Sequence, residues 1–274
     1  MALAVCATPI GNLEDVTLRA LRELREADLV LCEDTRHTRR LLQRHGIAAR
    51  LLSYHEHNEA RRTEEVLPKL LRGDRIALVS DAGLPGISDP GARLIAAALE
   101  AGVAVTVVPG PSAVETALVA SGFLAERYQF LGYLPRGERA RVALWAELEA
   151  WPYAVVAFES PQRLPESLKS LAEVSPARQV AVCRELTKRF EEVVRGTAAD
   201  LARRFKRPVR GEVTLVLAGA PTAPNGRDAE AVAAVAELIG AGVSRRKAAD
   251  LVARLTGTSR NRLYRRSLSG PDSA

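Results

Sequence analysis

The strongest candidate for a ligand site is a glycine- and proline-rich loop, Ser80–Gly91, whose letters are SDAGLPGISDPG. It follows a short apolar run, Arg75–Ser80, and precedes a helical pattern. Glycines allow a ligand to approach the backbone closely. Ligands of parallel α/β sheets bind at the carboxyl ends of the strands, where Asp81 could accept from a hydroxyl or ammonium group. The sequence therefore predicts a ligand site here, with a long surface loop as the alternative.

The usual nucleotide motifs are missing elsewhere. The first apolar run, Leu3–Thr8, is followed by Pro9-Ile10-Gly11-Asn12 rather than by G-x-G-x-x-G, and no G-x-x-x-x-G-K-[ST] occurs. This argues against nicotinamide, flavin and P-loop nucleotide chemistry. The pair Glu33-Asp34 closes the second strand, where an acidic residue can hold a ribose, but the indication is weak without the glycine motif.

An arginine cluster follows directly, on or beside one helix. Its members are Arg36, Arg39, Arg40 and Arg44, and no acidic residue occurs between Asp34 and Glu56. A solvated helix face would carry both signs of charge, so the cluster favours a surface that faces a polyanion.

The run His55-Glu56-His57-Asn58-Glu59 offers two imidazoles and two carboxyl groups. It lies at a strand-to-helix junction and lacks the H-E-x-x-H spacing of a metal site, so we expect no metal. We interpret Asn58 as a helix N-cap and the histidines as polar groups that line a cleft.

The C-terminal region carries a second basic surface. Ser244–Thr256 forms an amphipathic pattern with Ala248, Leu251, Val252 and Leu255 on the expected inner face, and Ser259 begins another helix. Between residues 245 and 266 there are eight basic residues and one acidic residue. This helix–turn–helix layout is typical of nucleic-acid binding, with a charged helical cap as the alternative. The residues expected to contact nucleic acid are Arg245, Arg246, Lys247, Arg260, Arg262, Arg265 and Arg266.

The elements that must position these residues fall into three parts. Residues 1–135 alternate strand and helix patterns, which predicts βαβ units and a mainly parallel sheet. Residues 136–221 predict a second α/β domain, and Ala220–Asp228 resembles a linker. Residues 228–274 are expected to form a small, basic, helical C-terminal domain.

Composition agrees with an ordinary globular protein of 274 residues, since 47% of them are hydrophobic and 26% are charged. The net charge is +6, and residues 223–274 contribute four of these six charges. The three cysteines, Cys6, Cys32 and Cys183, sit in apolar runs without metal spacing, so we expect buried thiols. No signal peptide or membrane-length apolar stretch is found, and a cytoplasmic protein is expected.

Nine segments resemble the tetrapyrrole methylase superfamily, whose members bind S-adenosylmethionine in a cleft between two α/β domains. Within it they resemble the branch that methylates the ribose 2′-oxygen of a cytidine in 16S ribosomal RNA, at the decoding centre. The segments span nearly the whole chain: ATPIGNLEDVTLRAL (7–21), CEDTRHTRRLL (32–42), HEHNE (55–59), LVSDAGLPGISDPG (78–91), VPGPSA (108–113), FLGYLP (130–135), FESPQR (158–163), CRELTK (183–188) and GEVTLVLAG (211–219).

The resemblance implies an S-adenosylmethionine site, with the small ribosomal subunit as partner and a homodimer as assembly. The implied cofactor contacts are Pro9, Ile10, Asp81, Ala82, Gly83, Leu84, Ser112, Ala113, Phe158, Leu186, Glu212 and Val213. Methyl transfer needs no metal, but a ribose hydroxyl is a poor nucleophile that needs a base or a stabilising cation. The candidates for these catalytic roles are Asp34, His55, Glu59 and Lys188.

Two other functions stay open from the residues. One is a related methyltransferase that acts on a small molecule or a protein, although the two basic surfaces weigh against it. The other is a ligand-sensing protein with a DNA-binding helix–turn–helix, although a sensor would not need two α/β domains around one cleft.

Overall fold

The computed structural model describes residues 3–123, 126–220 and 226–268, with side chains of 226–229 left aside. By their contacts the residues divide into two compact units, Met1–Ala220 and Pro221–Ala274. Within the described ranges, no helix combines the length and apolar character needed to cross a bilayer.

The first sheet is wholly parallel, as the alternating patterns predict. Its order is β3-β2-β4-β1-β5. The three inner strands are fully buried apolar runs, as expected when helices cover both faces of a parallel sheet, and the two edge strands are half-buried or partly exposed. The strands are β1 (Leu3–Cys6), β2 (Leu29–Cys32), β3 (Leu51–Ser53), β4 (Ile76–Leu78) and β5 (Val105–Val108). The helices that follow them in turn are α1 (Leu18–Glu26), α2 (Thr35–Arg44), α3 (Glu59–Leu71), α4 (Ala92–Glu100) and α5 (Ala113–Ser121).

The second sheet is mixed, with the order β6-β7-β10-β8-β9. β6 pairs parallel to β7, and the other three pairings are antiparallel. Its elements are β6 (Tyr128–Tyr133), α6 (Glu138–Leu148), β7 (Ala154–Glu159), α7 (Leu164–Val174), β8 (Gln179–Arg184), β9 (Glu192–Thr197), α8 (Ala198–Arg204) and β10 (Val213–Leu217). The mixed α/β fold with two sheets is therefore confirmed.

Helix α5 and strand β6 belong with the second sheet rather than with the first. Val114, Ala117 and Leu118 of α5 share a buried cluster with strand residues of the second sheet such as Val156 and Val216. The chain thus changes sheets before α5, whereas the expected boundary at residue 135 follows β6. The pattern of apolar residues locates these elements but not the sheet that each one joins.

The C-terminal unit is helical, with α9 (Gly226–Gly240), α10 (Arg245–Thr256) and α11 (Arg260–Arg266). Its own core includes Val235, Ala248, Ala249, Val252 and Leu263. The expectation that Leu251 and Leu255 point inward is wrong, since both are exposed, Leu255 by 79%. The buried face is instead centred on two small alanines, which let the neighbouring helix approach closely.

All three cysteines are free and buried, as expected. Burial raises the pKa of Cys6 and of Cys183 to about 12. These thiols are therefore core residues without nucleophilic character at neutral pH.

Candidate functional site

A cavity of about 490 Å³ opens between the carboxyl edge of the first sheet and the facing edge of the second. This is the size range of small-molecule and cofactor sites. The first sheet contributes the residues that follow β1, β2, β4 and β5: Ile10, Glu33, Asp81, Ala82, Gly83, Leu84, Ile87, Asp89, Ser112, Ala113 and Val114. The second sheet contributes Tyr133, Phe158, Glu159, Ser160, Pro161, Gly211, Glu212, Val213 and Thr214.

The Gly-rich loop is fixed to the loop after β1 by a two-way backbone bridge. The amide of Thr8 donates to the Gly83 carbonyl at 2.8 Å, and the Gly83 amide donates back at 3.1 Å. The Thr8 hydroxyl adds a bond to the Ser80 carbonyl at 2.9 Å. Gly83 has φ +82°, a conformation that glycine adopts without strain. The cavity wall at Asp81–Leu84 is therefore preorganised by backbone contacts.

Besides Glu159, whose fully buried carboxylate pairs with Arg163 at 2.6 Å, four carboxyl groups line the cavity: Glu33, Asp81, Asp89 and Glu212. Burial raises the pKa of Asp89 to about 6, and the neighbouring charge of Glu33 adds to the shift. Burial, followed by the charge of Asp81, also raises the pKa of Glu33. An excess of negative charge in a half-buried cavity favours a cationic ligand.

Aromatic rings form the opposite wall. Phe158 makes edge-on contacts with Phe130, at 5.0 Å between ring centroids, and with Tyr133, at 5.6 Å. The side of Tyr133 away from this contact is open, since the residue is 63% exposed. The cavity therefore combines apolar and aromatic surface with acidic groups, which suits a ligand that has both an aromatic and a charged part.

A strap formed by residues 185–188 is bonded to the cavity wall at Glu212. The Lys188 ammonium donates to Oε1 of Glu185 at 3.0 Å and to Oε2 of Glu212 at 2.9 Å. The amide of Asn12 donates to the Thr187 hydroxyl at 3.0 Å, which joins the strap to the loop after β1. Glu185 and Thr187 have φ of +52° and +64°, unusual values for residues with a side chain.

The structure brings ten of the twelve expected cofactor contacts into this cavity wall: Ile10, Asp81, Ala82, Gly83, Leu84, Ser112, Ala113, Phe158, Glu212 and Val213. Leu186 lines a smaller adjoining pocket together with Ile10. Pro9 is buried beside these residues and lies outside the wall. Their contacts with a cofactor stay predictions.

The four expected catalytic residues surround the cavity rather than line it. Asp34 caps α2 and pairs with Arg36 at 2.7 Å, and this hydrogen bonding holds its pKa well below the usual range. Glu59 lies 3.6 Å from Arg93. Burial lowers the pKa of Lys188, but its bonds to two carboxylates raise it further, so the ammonium is retained. Their roles stay predictions.

His55 is near enough to Glu33 to interact with its charge, but it does not line the cavity. Its Nε2 is 2.9 Å from the side-chain nitrogen of Asn58, and its backbone amide donates to the side-chain Oδ1 of Asn58 at 2.9 Å. Asn58 occupies the N-cap position of α3, but its side chain makes no capping bond, because it is engaged by His55. No group of three or more potential metal ligands occurs among the described residues.

Sequence reasoning indicated Glu33 only weakly, did not single out Asp89 within the Gly-rich loop, and missed Tyr133 as a cavity residue. Glu33 and Asp34 are adjacent, and the fold turns Glu33 to the cavity while Asp34 caps α2. Asp89 is the second aspartate of the Gly-rich loop, but its separation from Asp81 in sequence gives no sign that the two side chains line one cavity. Tyr133 lies on β6, whose position depends on sheet order.

The expected RNA contacts lie on exposed helix faces. Helix α2 buries Thr38, Leu41 and Leu42 and exposes the arginine cluster. Within that cluster Arg44 pairs with Glu14 at 2.7 Å. In the C-terminal unit Arg260 pairs with Asp250, at 2.6 Å. The other six expected contacts there are exposed or half-buried: Arg245, Arg246, Lys247, Arg262, Arg265 and Arg266. RNA contact by these residues stays a prediction.

Comparison with known proteins defines the class. The family model "Tetrapyrrole (Corrin/Porphyrin) Methylases" matches residues 2–202, so the chain belongs to the tetrapyrrole methylase family. This family uses S-adenosylmethionine, which is therefore the methyl donor of this protein.

Individual relatives refine the comparison. A Mesorhizobium japonicum protein named ribosomal RNA small subunit methyltransferase I is 40% identical over 274 residues, covering 100% of this chain and 93% of that protein. A protein of the same name from Thermotoga maritima is 45% identical over 219 residues, covering 79% of this chain and 98% of its own length. Uroporphyrin-III-C-methyltransferase from Thermus thermophilus shares the fold, with TM-score 0.56 and 21% identity over 79% of this chain and 93% of that chain.

The cavity residues fit S-adenosylmethionine. Its sulfonium and ammonium groups match the four carboxyl groups, and its adenine matches the apolar surface formed by residues such as Ile10, Leu84 and Val213. Gly83, which lacks a Cβ, leaves the backbone open to close approach. When bound, S-adenosylmethionine supplies an electrophilic methyl group on a positively charged sulfur.

Proposed function

We propose that the protein transfers a methyl group from S-adenosylmethionine to the ribose 2′-oxygen of a cytidine in 16S ribosomal RNA, at the decoding centre of the small subunit. We further propose that it acts as a homodimer in the cytoplasm, where its substrate is found. The names of the full-length relatives support RNA as the substrate.

The observation that carries the proposal is the junction between the cavity and α2. Glu33 lines the cavity, and α2 begins at Thr35, two residues later. The exposed face of α2 carries Arg36, Arg39 and Arg40. Arginine binds phosphate through a planar fork of donors, so this face can hold an RNA backbone beside the acidic cavity.

The acidic cavity and the basic helix have separate tasks. The four carboxyl groups would repel a phosphate, so the backbone of the RNA must stay outside while one nucleoside enters. Extrusion of a nucleotide from its stack into a pocket is a general device of enzymes that modify nucleic acids. The open face of Tyr133 offers a stacking surface for the entering base.

The C-terminal unit supports the same substrate. Its exposed Arg246, Lys247 and Arg266 add positive charge outside the catalytic fold. The Thermotoga maritima relative is also named ribosomal RNA small subunit methyltransferase I, and 79% of this chain already covers 98% of its length. We therefore propose that the C-terminal unit strengthens RNA binding and that the chemistry belongs to residues 1–220.

Labelled methyl transfer tests the proposal. The protein is incubated with S-adenosylmethionine carrying a labelled methyl group and with one of four acceptors: small ribosomal subunits, free 16S RNA, duplex DNA or a corrin precursor. We expect label in the RNA of one or both ribosomal samples. Label in the corrin precursor alone would support a small-molecule methyltransferase, and specific DNA binding without transfer would support a ligand sensor.

A double variant and a control variant test whether the arginine cluster binds RNA. Arg39→Gln with Arg40→Gln removes two exposed charges and keeps long, helix-compatible side chains. We expect weaker RNA binding with unchanged affinity for S-adenosylmethionine. The control is Lys169→Gln, an exposed charge on α7, which should change neither property.

A further inference from the structure

The reaction needs a group that accepts the proton of the attacking ribose hydroxyl. We propose that Asp89 is this catalytic base, an assignment that rests on the proposed function and deepens it. The carboxyl group of Asp89 lines the cavity, whereas Asp34, His55, Glu59 and Lys188 do not. A base must lie within hydrogen-bond reach of the proton that it removes, so residues outside the wall are poorly situated.

Four other carboxyl groups share the wall, and each is engaged by another group; Glu159 pairs with Arg163 at 2.6 Å. Oδ1 of Asp81 accepts the amide of Asp34 at 3.1 Å. Oε2 of Glu212 accepts from the Lys188 ammonium at 2.9 Å. Glu33 accepts a hydrogen bond from the backbone of Asp81. An oxygen of each of these carboxyl groups is therefore occupied by a partner within the protein.

Asp89 is held by a weaker and adjustable contact. The Ser80 hydroxyl donates to the carbonyls of Ala82 and Gly83 at 3.4 and 3.3 Å, and it lies close enough to the Asp89 carboxyl group to interact with it. A hydroxyl can rotate from one acceptor to the other. Asp89 can therefore take up a proton while Ser80 keeps a hydrogen-bond acceptor.

The backbone around Asp89 has a specific, constrained geometry. Ser88 has φ +62°, a left-handed conformation that is unfavourable for a residue with a side chain. Gly91 has φ +139°, and a Cβ there would meet Leu78 Cδ2 at 3.0 Å and the Gly86 amide nitrogen at 3.3 Å. Strained backbone of this kind concentrates at sites where side-chain direction matters, which supports a role for Asp89 in the cavity.

The surrounding charges adjust the basicity of Asp89. Burial is the main cause that raises its pKa to about 6, followed by the charge of Glu33. Further groups that act on this carboxyl or on its charged neighbours are Asp81, Glu212, Tyr133, His55 and Lys188. A carboxylate whose pKa lies near the operating pH is both deprotonated and effective as a base.

The step is balanced by the groups named. The ribose oxygen forms a bond to the methyl carbon while its proton passes to the Asp89 carboxylate. The bond between that carbon and sulfur breaks, and its electron pair stays on sulfur. The product is a 2′-methyl ether, a neutral thioether and a protonated Asp89, which then loses its proton to solvent.

The test compares wild type with Asp89→Asn, which keeps the shape of the side chain and removes the base. Single-turnover methyl transfer to small subunits is measured from pH 5 to 8, and binding of S-adenosylmethionine and of RNA is measured separately. We expect Asp89→Asn to bind both partners and to transfer methyl at least about 100-fold more slowly. The wild-type rate should fall at low pH, and this acid limb of the pH–rate profile should have an apparent pKa at or below about 6, because a bound cation lowers the pKa of Asp89. The variant should lack the acid limb.

Two further experiments test the assignment: an NMR titration of the protein without S-adenosylmethionine, and a second variant, Glu33→Gln. Carbon-13 NMR of the Asp89 carboxyl group in the free protein should give a titration midpoint near 6. Glu33→Gln removes the neighbouring charge, so both this midpoint and the acid limb should move to lower pH. A merely structural role for Asp89 would leave the rate limb independent of Glu33.

The outcomes separate two claims. Absence of wild-type transfer to RNA would contradict the proposed function. Wild-type transfer together with an Asp89→Asn rate within threefold, or with a retained acid limb in that variant, would overturn only the assignment of Asp89.

Discussion

The backbone amide of Asp34 donates a 3.1 Å hydrogen bond to Oδ1 of Asp81. This bond joins the end of β2 to the loop after β4, the neighbouring strand of the first sheet. It fixes the Asp81 carboxylate at the cavity wall and leaves its second oxygen without this partner. The same turn sends Glu33 into the cavity and starts α2, which carries the arginine cluster.

The first prediction concerns Asp81→Asn. Asparagine keeps an oxygen for the Asp34 amide but removes the charge, and charge-assisted hydrogen bonds contribute about 1.5–3 kcal/mol. We expect affinity for S-adenosylmethionine to fall roughly 10- to 100-fold by calorimetry. Glu14→Gln, which changes an exposed carboxyl group paired with Arg44, is the control and should bind normally. Equal affinity of the two variants would contradict a donor contact at Asp81.

The second prediction concerns the stability of the protein without its methyl donor. Because the pKa of Asp89 is raised above its unfolded value, ionisation of Asp89 destabilises the fold as pH rises from about 4 through about 6. Because Asp89 is only partly buried and solvent screens its charge, Asp89→Asn should raise the free energy of unfolding at pH 7.5 by about 1–2 kcal/mol. Urea unfolding of both proteins should show this difference shrinking towards pH 4.5. Equal stability at pH 7.5 would contradict the raised pKa.

The third prediction concerns Gly11, which lies against the strap of residues 185–188. A Cβ there would come within 2.4 Å of Lys188 Cγ and 2.9 Å of the Leu186 carbonyl oxygen. Gly11→Ala should lower the free energy of unfolding by about 1–3 kcal/mol, as overpacking commonly does. Binding of S-adenosylmethionine should weaken as well, because Lys188 holds Glu212 in the cavity wall.

The control for this change is Gly240→Ala, where nothing lies within 4 Å of the added atom. Both variants are compared by urea unfolding and by calorimetric titration with S-adenosylmethionine. Normal donor affinity in Gly11→Ala would show that the strap does not shape the cavity.

The fourth prediction concerns the C-terminal unit. Arg246→Gln with Lys247→Gln removes two exposed charges from α10. If both contact phosphate, the slope of log affinity for RNA against log salt should decrease in magnitude by about 1.5. Filter binding at several salt concentrations measures the slope, and S-adenosylmethionine affinity should not change. An unaltered slope would exclude these two residues from the RNA interface.

Much of the first sheet follows from local sequence. Short apolar runs such as Leu29–Cys32 and Ile76–Leu78 alternate with helical patterns, and this alternation is sufficient to predict parallel pairing. The Gly-rich loop then falls at the carboxyl edge, where ligands bind. The position of Asp81 beside a cavity can therefore be predicted from residue types and their spacing.

The acidic wall is less predictable, because it depends on contacts between distant segments. Glu212 reaches the cavity because β10 inserts between β7 and β8, far from its neighbours in sequence. Whether Glu33 or Asp34 faces the cavity depends on a single residue of register at the end of β2. Leu251 and Leu255 are a similar case, since α10 packs through Ala248, Ala249 and Val252, and only two of the four residues on the expected face are buried.

The most direct test of the central claim is the identity of the methylated nucleoside. Ribosomal RNA labelled by the wild-type protein is digested to nucleosides and separated by chromatography with mass detection. We predict that the label is recovered as 2′-O-methylcytidine from 16S RNA. Label in a base-methylated nucleoside, or in another ribose, would contradict the account.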